Sequence, residues 1–102
     1  MPKNHDITED HIDLLHTIEK DGNATQREIA GSTGLSIGKV NYIIKALIEK
    51  GFIKINNFKN SSKKMEYAYI LTPKGMQEKV KITNRFIIKK QQEYDKLKSY
   101  IS

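Results

Sequence analysis

Polar side chains in an uncommon combination line one side of the stretch SIGKVNYIIK, residues 36–45. A helix over this stretch turns 100° per residue and places Gly38, Asn41, Tyr42 and Lys45 opposite its apolar residues. An asparagine amide can make paired hydrogen bonds to an adenine edge, and hydroxyl and ammonium groups can contact phosphates. Glycine costs about 1 kcal/mol in a helix relative to alanine, and close approach to a large partner would offset that cost. The candidate DNA contacts here are Ser36, Gly38, Lys39, Asn41, Tyr42 and Lys45.

An ordinary solvated face is the alternative for that helix, although such a face would favour Glu, Lys and Gln. Two further polar sets extend the candidate surface. Thr25, Gln26 and Arg27 stand at the start of a predicted short helix, where free N–H groups favour a phosphate. A cap and a surface arginine explain them equally well. In the basic segment 57–64 the candidates for backbone or minor-groove contact are Lys59, Asn60, Ser61, Lys63 and Lys64. A basic tip that merely favours solubility is the alternative there.

Other chemistry finds little support in the sequence. His5, His11 and His16 are spaced by six and five residues, which does not align two of them on one helical face. Without cysteine, neither a disulfide framework nor a thiolate metal site can form. No Ser/His/Asp grouping, phosphate-binding glycine loop or paired carboxylates stand out. We therefore expect no metal, no cofactor and no enzymatic activity.

The charge of the chain is unevenly distributed. The 102 residues carry a net charge of +6 and suit one domain. Residues 1–21 hold six acids and two lysines, a net charge of −4, so the remaining 81 residues carry +10. Between Ser36 and Lys64 there are seven lysines and one acid, Glu49. A cationic surface of this kind suits a polyanion.

The sequence also bears on location. No run of about 18 apolar residues occurs, so we expect no membrane partner. The polar, acidic N-terminus is unlike a secretory signal, and the absence of cysteine fits a cytoplasmic location.

Local signals predict three helices, over about 7–20, 26–33 and 37–50. Asp6 or Thr8 can cap the first helix, Thr25 begins a capping box with Glu28, and Ser36 caps the third. Two short helices joined by a glycine-containing turn form a helix-turn-helix. The apolar positions expected in the core of the third helix are Val40, Ile43, Ile44 and Leu47.

The pattern then changes to period two, which predicts strands over about 52–56 and 65–71. Thr72 and Pro73 start a long final helix, over about 72–101. The fold class is therefore mainly α with a β-hairpin: a winged helix-turn-helix domain, residues 1–71, followed by a long C-terminal dimerisation helix, residues 72–101. The hairpin is the wing of this fold.

The final helix carries a heptad-like apolar seam of just over three repeats. Its members are Met76, Val80, Thr83, Ile87, Lys90, Tyr94, Leu97 and Ile101, and Lys90 breaks the pattern. Ile82 and Phe86 widen the N-terminal half, which suits packing on the first helix. The C-terminal half has little of this domain left to cover it, so a second copy is the expected partner. The predicted dimer interface is Val80, Thr83, Ile87, Tyr94, Leu97 and Ile101. A helix that folds back entirely within one chain is the alternative.

Five stretches together resemble a known family. They are 38–42 (GKVNY), 45–51 (KALIEKG), 57–61 (NFKNS), 67–69 (YAY) and 71–75 (LTPKG). Over residues 25–100 the chain resembles the MarR-type winged helix regulators, most of all the subgroup called MarR-family EPS-associated transcriptional regulators, linked to exopolysaccharide gene clusters.

The resemblance implies a homodimeric transcription factor that binds double-stranded DNA, with the third helix in the major groove. Typical MarR proteins have an additional N-terminal dimerisation helix, a longer C-terminal region and a ligand pocket near the dimer interface. This chain begins almost directly at the first helix of the domain, which makes a small-molecule effector doubtful. A winged helix that docks an acidic protein through the Tyr42 face, without sequence-specific DNA binding, is the alternative function.

Overall fold

The computed structural model describes residues 7–59 and 65–102. Its elements follow in the order α1 (Glu9–Lys20), α2 (Gln26–Thr33), α3 (Ile37–Glu49), β1 (Ile53–Lys59), β2 (Met65–Leu71) and α4 (Pro73–Ser99). The two strands form one antiparallel hairpin. The predicted fold class, a mainly helical winged helix-turn-helix with a long C-terminal helix, is confirmed.

The starts of α2 and α3 are fixed by their caps. The Thr25 hydroxyl accepts a hydrogen bond from the Glu28 backbone N–H at 3.1 Å, and the Thr25 N–H donates to Glu28 Oε1 at 2.9 Å. Gly34 ends α2 with a φ of +76°, a conformation that glycine adopts without strain. The Ser36 hydroxyl then accepts from the Lys39 N–H at 3.1 Å. Both predicted caps are confirmed, and a three-residue turn joins the two helices.

Three element boundaries differ from the prediction by two residues or more. Strand β1 runs to Lys59, whereas the sequence predicts a loop from Asn57 onward. The first three residues of β2 pair with residues 57–59, because the ladder continues with Asn57 opposite Tyr67 and Lys59 opposite Met65. The polar residues of β1 break the apolar alternation without breaking the backbone hydrogen bonds. Most of the predicted loop, residues 60–64, lies outside the described residues.

The last helix ends at Ser99 rather than residue 101, and the first helix begins at Glu9 rather than residue 7. Thr8 is its N-cap, and the backbone N–H of Thr8 donates to His11 Nδ1 at 3.2 Å. The buried His11 ring therefore takes the place that Glu or Gln usually has in a capping box.

One apolar core joins the three N-terminal helices to the hairpin. From α1 and α3, its most buried members are Leu14, Leu15, Ile18, Val40, Ile43, Ile44 and Leu47. Full burial of each large aliphatic side chain contributes about 1.5–3 kcal/mol. The predicted core face of α3 is confirmed, and it fixes which face of α3 points outward.

The start of α4 is fastened to the segment that follows α3. The Thr72 hydroxyl accepts from the Gly75 N–H at 3.0 Å, which confirms the predicted cap. The same hydroxyl donates to the Gly51 carbonyl oxygen at 2.6 Å, and the Thr72 N–H donates to the Phe52 carbonyl oxygen at 3.0 Å. A Cβ on Gly75 would lie 2.0 Å from that Phe52 oxygen. The glycine therefore allows α4 to approach the backbone of Phe52.

Helix α4 then runs beside α1 and beyond it. Ile82 is buried, and Lys79 and Lys90 form ion pairs with Glu19 and Glu9 over 2.7 Å and 2.9 Å. At 1.5 Å per residue, the 27 residues of α4 span about 40 Å. From Ile87 to its end, every residue of the helix is exposed. Within the described part of the chain, no helix has the length and apolar character needed to cross a membrane.

Candidate nucleic-acid interface

The outward face of α3 presents the side chains that the sequence singles out. Tyr42 is 60% exposed, and Lys39 and Lys45 are exposed as well. They lie on the opposite side of the helix from the buried residues. Gly38 is also exposed, at the first turn. This face therefore combines an aromatic hydroxyl, two cations and uncovered backbone.

Gly38 has no packing role inside the described part of the chain. A Cβ built on it would meet nothing within 4 Å, and its φ lies outside the left-handed region. Gly31, in α2, is equally open, and nothing in the structure explains it. The glycine at position 38 leaves the backbone of α3 open to a body that approaches from outside.

Asn41 differs from its neighbours because it has a partner within the protein. Its Nδ2 donates to Gln26 Oε1 at 3.3 Å, and Gln26 Nε2 donates to the Tyr69 hydroxyl oxygen at 3.2 Å. All three side chains are half-buried. The structure thus joins two predicted site residues, Gln26 and Asn41, and adds Tyr69 from the wing.

Sequence reasoning missed Tyr69, although the alternation in β2 puts it on the same side of the strand as Leu71. Its backbone N–H donates to the Gly22 carbonyl oxygen at 2.8 Å. A Cβ on Gly22 would lie 2.2 Å from the Tyr69 carbonyl oxygen. The turn between α1 and α2 therefore sits directly on the strand and fixes the position of Tyr69.

The start of α2 offers less to a phosphate than the sequence suggests. The capping box places the Glu28 carboxylate at this helix end, and the hydrogen bond from the Thr25 backbone lowers its pKa. A negative charge here offsets the positive end of the helix dipole. The Thr25 N–H is already donated to Glu28. Arg27 is exposed and is the one cation of the predicted α2 set.

The remaining predicted residues divide between α3 and the wing. The Ser36 oxygen caps α3, which leaves its hydroxyl proton available to an external acceptor. Lys59 is the last residue of β1. The other wing candidates, Asn60, Ser61, Lys63 and Lys64, lie outside the described residues.

The ion pairs of α4 explain how the acidic N-terminus and the cationic α3 face coexist. Glu9 and Glu19 pair with lysines of α4, on the side of α1 that faces that helix. The positive charge of Lys39 reaches His11, whose pKa is lowered mainly by burial and further by this lysine. Two of the acids of α1 therefore serve its contact with α4, and the outward face of α3 keeps its lysines exposed.

The predicted dimer residues fall into two groups. Four are exposed on α4, namely Val80, Ile87, Tyr94 and Leu97, and Ile101 is exposed just beyond the end of that helix; Leu97 is 65% exposed and Ile101 88%. Thr83 is half-buried and lines a groove of about 490 Å³ between α1 and α4, which Ile87 and Tyr94 of the same predicted set also line. The Thr83 hydroxyl has no hydrogen-bond partner within the described residues. Thr83 thus faces its own α1.

No group of three His, Asp or Glu side chains within residues 7–59 and 65–102 is arranged as metal ligands could be. The candidate site consists of hydrogen-bonding and cationic groups alone.

A family model described as winged helix-turn-helix DNA-binding matches residues 10–54. Among solved structures, the chain is similar to a MarR/EmrR family transcriptional regulator from Acinetobacter sp. ADP1, at 25% identity and a TM-score of 0.62. It is also similar to Staphylococcus aureus MarR in complex with salicylate and kanamycin, at 28% identity and a TM-score of 0.58. The matches cover 85% and 87% of this chain but 59% and 57% of those two proteins. This chain therefore spans less than two thirds of their length.

The Staphylococcus aureus MepR–DNA complex shares the fold at 23% identity and a TM-score of 0.59, with coverage of 90% of this chain and 74% of that one. The search of curated proteins gives no match. The matched family model, the element order and these solved structures agree on one fold. The chain has the winged helix-turn-helix fold that MarR-type transcriptional regulators share.

Proposed function

We propose that this protein is a homodimeric transcriptional regulator that binds double-stranded DNA sequence-specifically and has no enzymatic activity. The observation that carries the proposal is the outward face of α3, where exposed Tyr42 and two lysines share the surface with Gly38, a glycine that no contact among the described residues requires. This face lies opposite the core, so an external partner can approach it without disturbing the packing.

In this proposal the N-terminal half of α3 enters the major groove, which is about 12 Å wide and admits a helix. Asn41, Tyr42 and Lys45 contact base edges. Ser36, Lys39 and Arg27 position phosphates, and the wing from Lys59 onward contacts the backbone or the minor groove. Thr25 and Gln26 contribute less directly, since one caps α2 and the other holds Asn41.

A dimer supplies the specificity that one domain lacks. A single domain with a few phosphate contacts binds DNA nonspecifically, with dissociation constants of roughly 10⁻⁴ to 10⁻⁶ M. Two copies related by a two-fold axis would read half-sites about one helical turn apart. The exposed apolar residues near the end of α4, Tyr94, Leu97 and Ile101, support pairing with a second copy.

Three finer expectations stay predictions within this proposal. They are the link to exopolysaccharide gene clusters, the division of the chain into residues 1–71 and 72–101, and a cytoplasmic location. The complex with salicylate and kanamycin is a property of the Staphylococcus aureus MarR. An effector for this chain stays doubtful.

The decisive experiment is selection of bound duplexes from a random pool, followed by fluorescence anisotropy of the enriched duplex at several salt concentrations. We expect one enriched two-fold symmetric sequence, and an affinity that falls steeply with salt because bound counterions are released. Equal binding of all duplexes would instead support the protein-interaction module. No binding at low salt would exclude DNA as the partner.

Two matched lysine variants distinguish a local contribution of the α3 face to DNA affinity from the effect of net charge. Lys45→Gln removes a cation from α3, whereas Lys81→Gln removes an equally exposed one from α4. We expect the first variant to weaken binding to the enriched duplex much more than the second. Equal effects would mean that net charge alone accounts for the affinity.

A further inference from the structure

A chain of three half-buried polar side chains connects the wing to the recognition helix. It runs from the Tyr69 hydroxyl on β2 through the Gln26 amide on α2 to the Asn41 amide on α3. The residues are 43 and 15 positions apart in sequence, so the chain of bonds links three elements that only the fold brings together.

The directions of these bonds decide which groups Asn41 has left. Gln26 donates its amide N–H to the tyrosine oxygen, so its carbonyl oxygen faces α3 and accepts one N–H of Asn41. Within the described residues the Asn41 side chain makes no other hydrogen bond, so its carbonyl oxygen and a second N–H remain. An adenine edge in the major groove presents a donor at N6 and an acceptor at N7. The two groups that remain on Asn41 are the pair that this edge requires.

Tyr69 is well placed to hold the other two side chains still. Its backbone N–H is bound to the Gly22 carbonyl oxygen at 2.8 Å, and its ring packs against the core. Gly22 leaves no room for a side chain at this contact. The tyrosine oxygen is therefore a fixed point, whereas without it the hydrogen bond to Asn41 alone would orient the Gln26 amide.

We propose that Tyr69 is a positioning residue for base recognition, which acts through Gln26 to hold the Asn41 amide in the orientation that reads an adenine. The proposal rests on the proposed function and deepens it. In this proposal a residue of the wing contributes to the sequence preference of α3. Tyr69 does so through its hydrogen bond to Gln26 and without contacting DNA itself. Removal of the hydroxyl frees Gln26 and then Asn41, so discrimination at that base pair falls while phosphate contacts persist.

The test compares Tyr69→Phe with the unaltered full-length protein. Anisotropy is measured on the selected duplex and on duplexes in which each adenine of the half-site is replaced in turn. Asn41→Ala first identifies the base pair whose preference depends on Asn41. Tyr100→Phe is the matched control, because it removes an exposed tyrosine hydroxyl from the end of α4.

We expect Tyr69→Phe to lose about 3- to 10-fold in discrimination at that base pair, the effect of one typical hydrogen bond. Its affinity for random duplex and its salt dependence should stay unchanged. In a double-mutant cycle, the effect of Tyr69→Phe should disappear when Asn41 is already alanine. Tyr100→Phe should have no effect.

Three results would overturn the proposal while the proposed function stands. They are full discrimination by Tyr69→Phe, an undiminished effect in the Asn41→Ala background, and an equal loss of affinity on all duplexes, which indicates a merely structural role. A thermal melt of each variant distinguishes the last case from unfolding. Should the unaltered protein show no sequence preference, the proposed function itself would fail, and this inference with it.

Discussion

The Thr72 hydroxyl donates a hydrogen bond of 2.6 Å to the carbonyl oxygen of Gly51 and so joins the first residues of α4 to the end of α3. Gly51 follows α3 in the left-handed conformation, with a φ of +76°. A helix proposed for dimerisation and a helix proposed for DNA reading are therefore connected through a few backbone atoms. Since the junction is short, the direction of α4 depends on the direction of α3.

Gly75→Ala tests this junction. The added Cβ would lie 2.0 Å from the Phe52 carbonyl oxygen, so α4 must shift or the backbone must move. We expect the free energy of unfolding, measured with urea, to fall by about 1–3 kcal/mol. Gly31→Ala is the control, because its Cβ meets nothing within 4 Å in a helix interior. Gly31→Ala should stabilise the protein by about 0.5–1 kcal/mol. If Gly75→Ala proved more stable than Gly31→Ala, the junction would have room for the added methyl group.

Gly38→Ala should have opposite effects on stability and on DNA binding. Its Cβ also meets nothing, so alanine should raise the free energy of unfolding by about 0.5–1 kcal/mol. If α3 enters the major groove closely, the same methyl group should weaken DNA binding. Thermal unfolding and anisotropy on the selected duplex measure the two effects. A variant that is more stable and binds as well as the unaltered protein would remove the reason for a glycine at this position.

Helix caps and the core face of α3 could be predicted from the sequence, because interactions between residues close in the chain determine them. Thr25, Ser36 and Thr72 cap their helices as expected, because each cap bonds to a backbone N–H only three residues away. The core face of α3 follows from helical periodicity in the same way. These features fix the fold class and the direction of the candidate site without reference to distant residues.

Contacts between distant elements could not be predicted from the sequence. The bond between Gln26 and Tyr69 crosses 43 positions, and no periodic pattern marks it. The groove that Thr83 lines against α1 could likewise not be predicted from the heptad repeat, because periodicity shows which residues share a face but not what lies beside them. Strand β1 extends past Asn56 for a related reason, since its partner strand determines its length.

The buried His11 ring predicts a dependence of stability on pH. Burial, and next the charge of Lys39, lower its pKa below the ordinary value of 6.5. The unfolded chain therefore binds a proton at a higher pH than the folded protein does. The stability contributed by neutral His11 is fully present above about pH 6.5 and is lost as the pH falls from there towards the lowered pKa.

His11→Gln is the matched variant for that prediction, because glutamine can accept the Thr8 N–H in the same position and does not titrate. Urea unfolding at a series of pH values from 7.5 to 5.5 should show a shallower loss of stability in the variant, whatever its absolute stability. Parallel curves would mean that other groups cause the dependence.

The apolar residues at the end of α4 give the last prediction. Leu97 in the last turn of α4 and Ile101 just beyond its end are 65% and 88% exposed, and both lie past the part of α4 that packs on α1. If a second copy covers them, two glutamates at these positions would bury like charges in the interface, which is unfavourable without partners. Sedimentation velocity should then show a dimer for the unaltered protein and a monomer for Leu97→Glu combined with Ile101→Glu.

The double variant Gln92→Glu and Ser99→Glu adds the same charge at exposed positions outside the seam and should remain dimeric. Loss of the dimer in both variants would trace the effect to net charge, and a dimer in both would place the interface elsewhere on the chain.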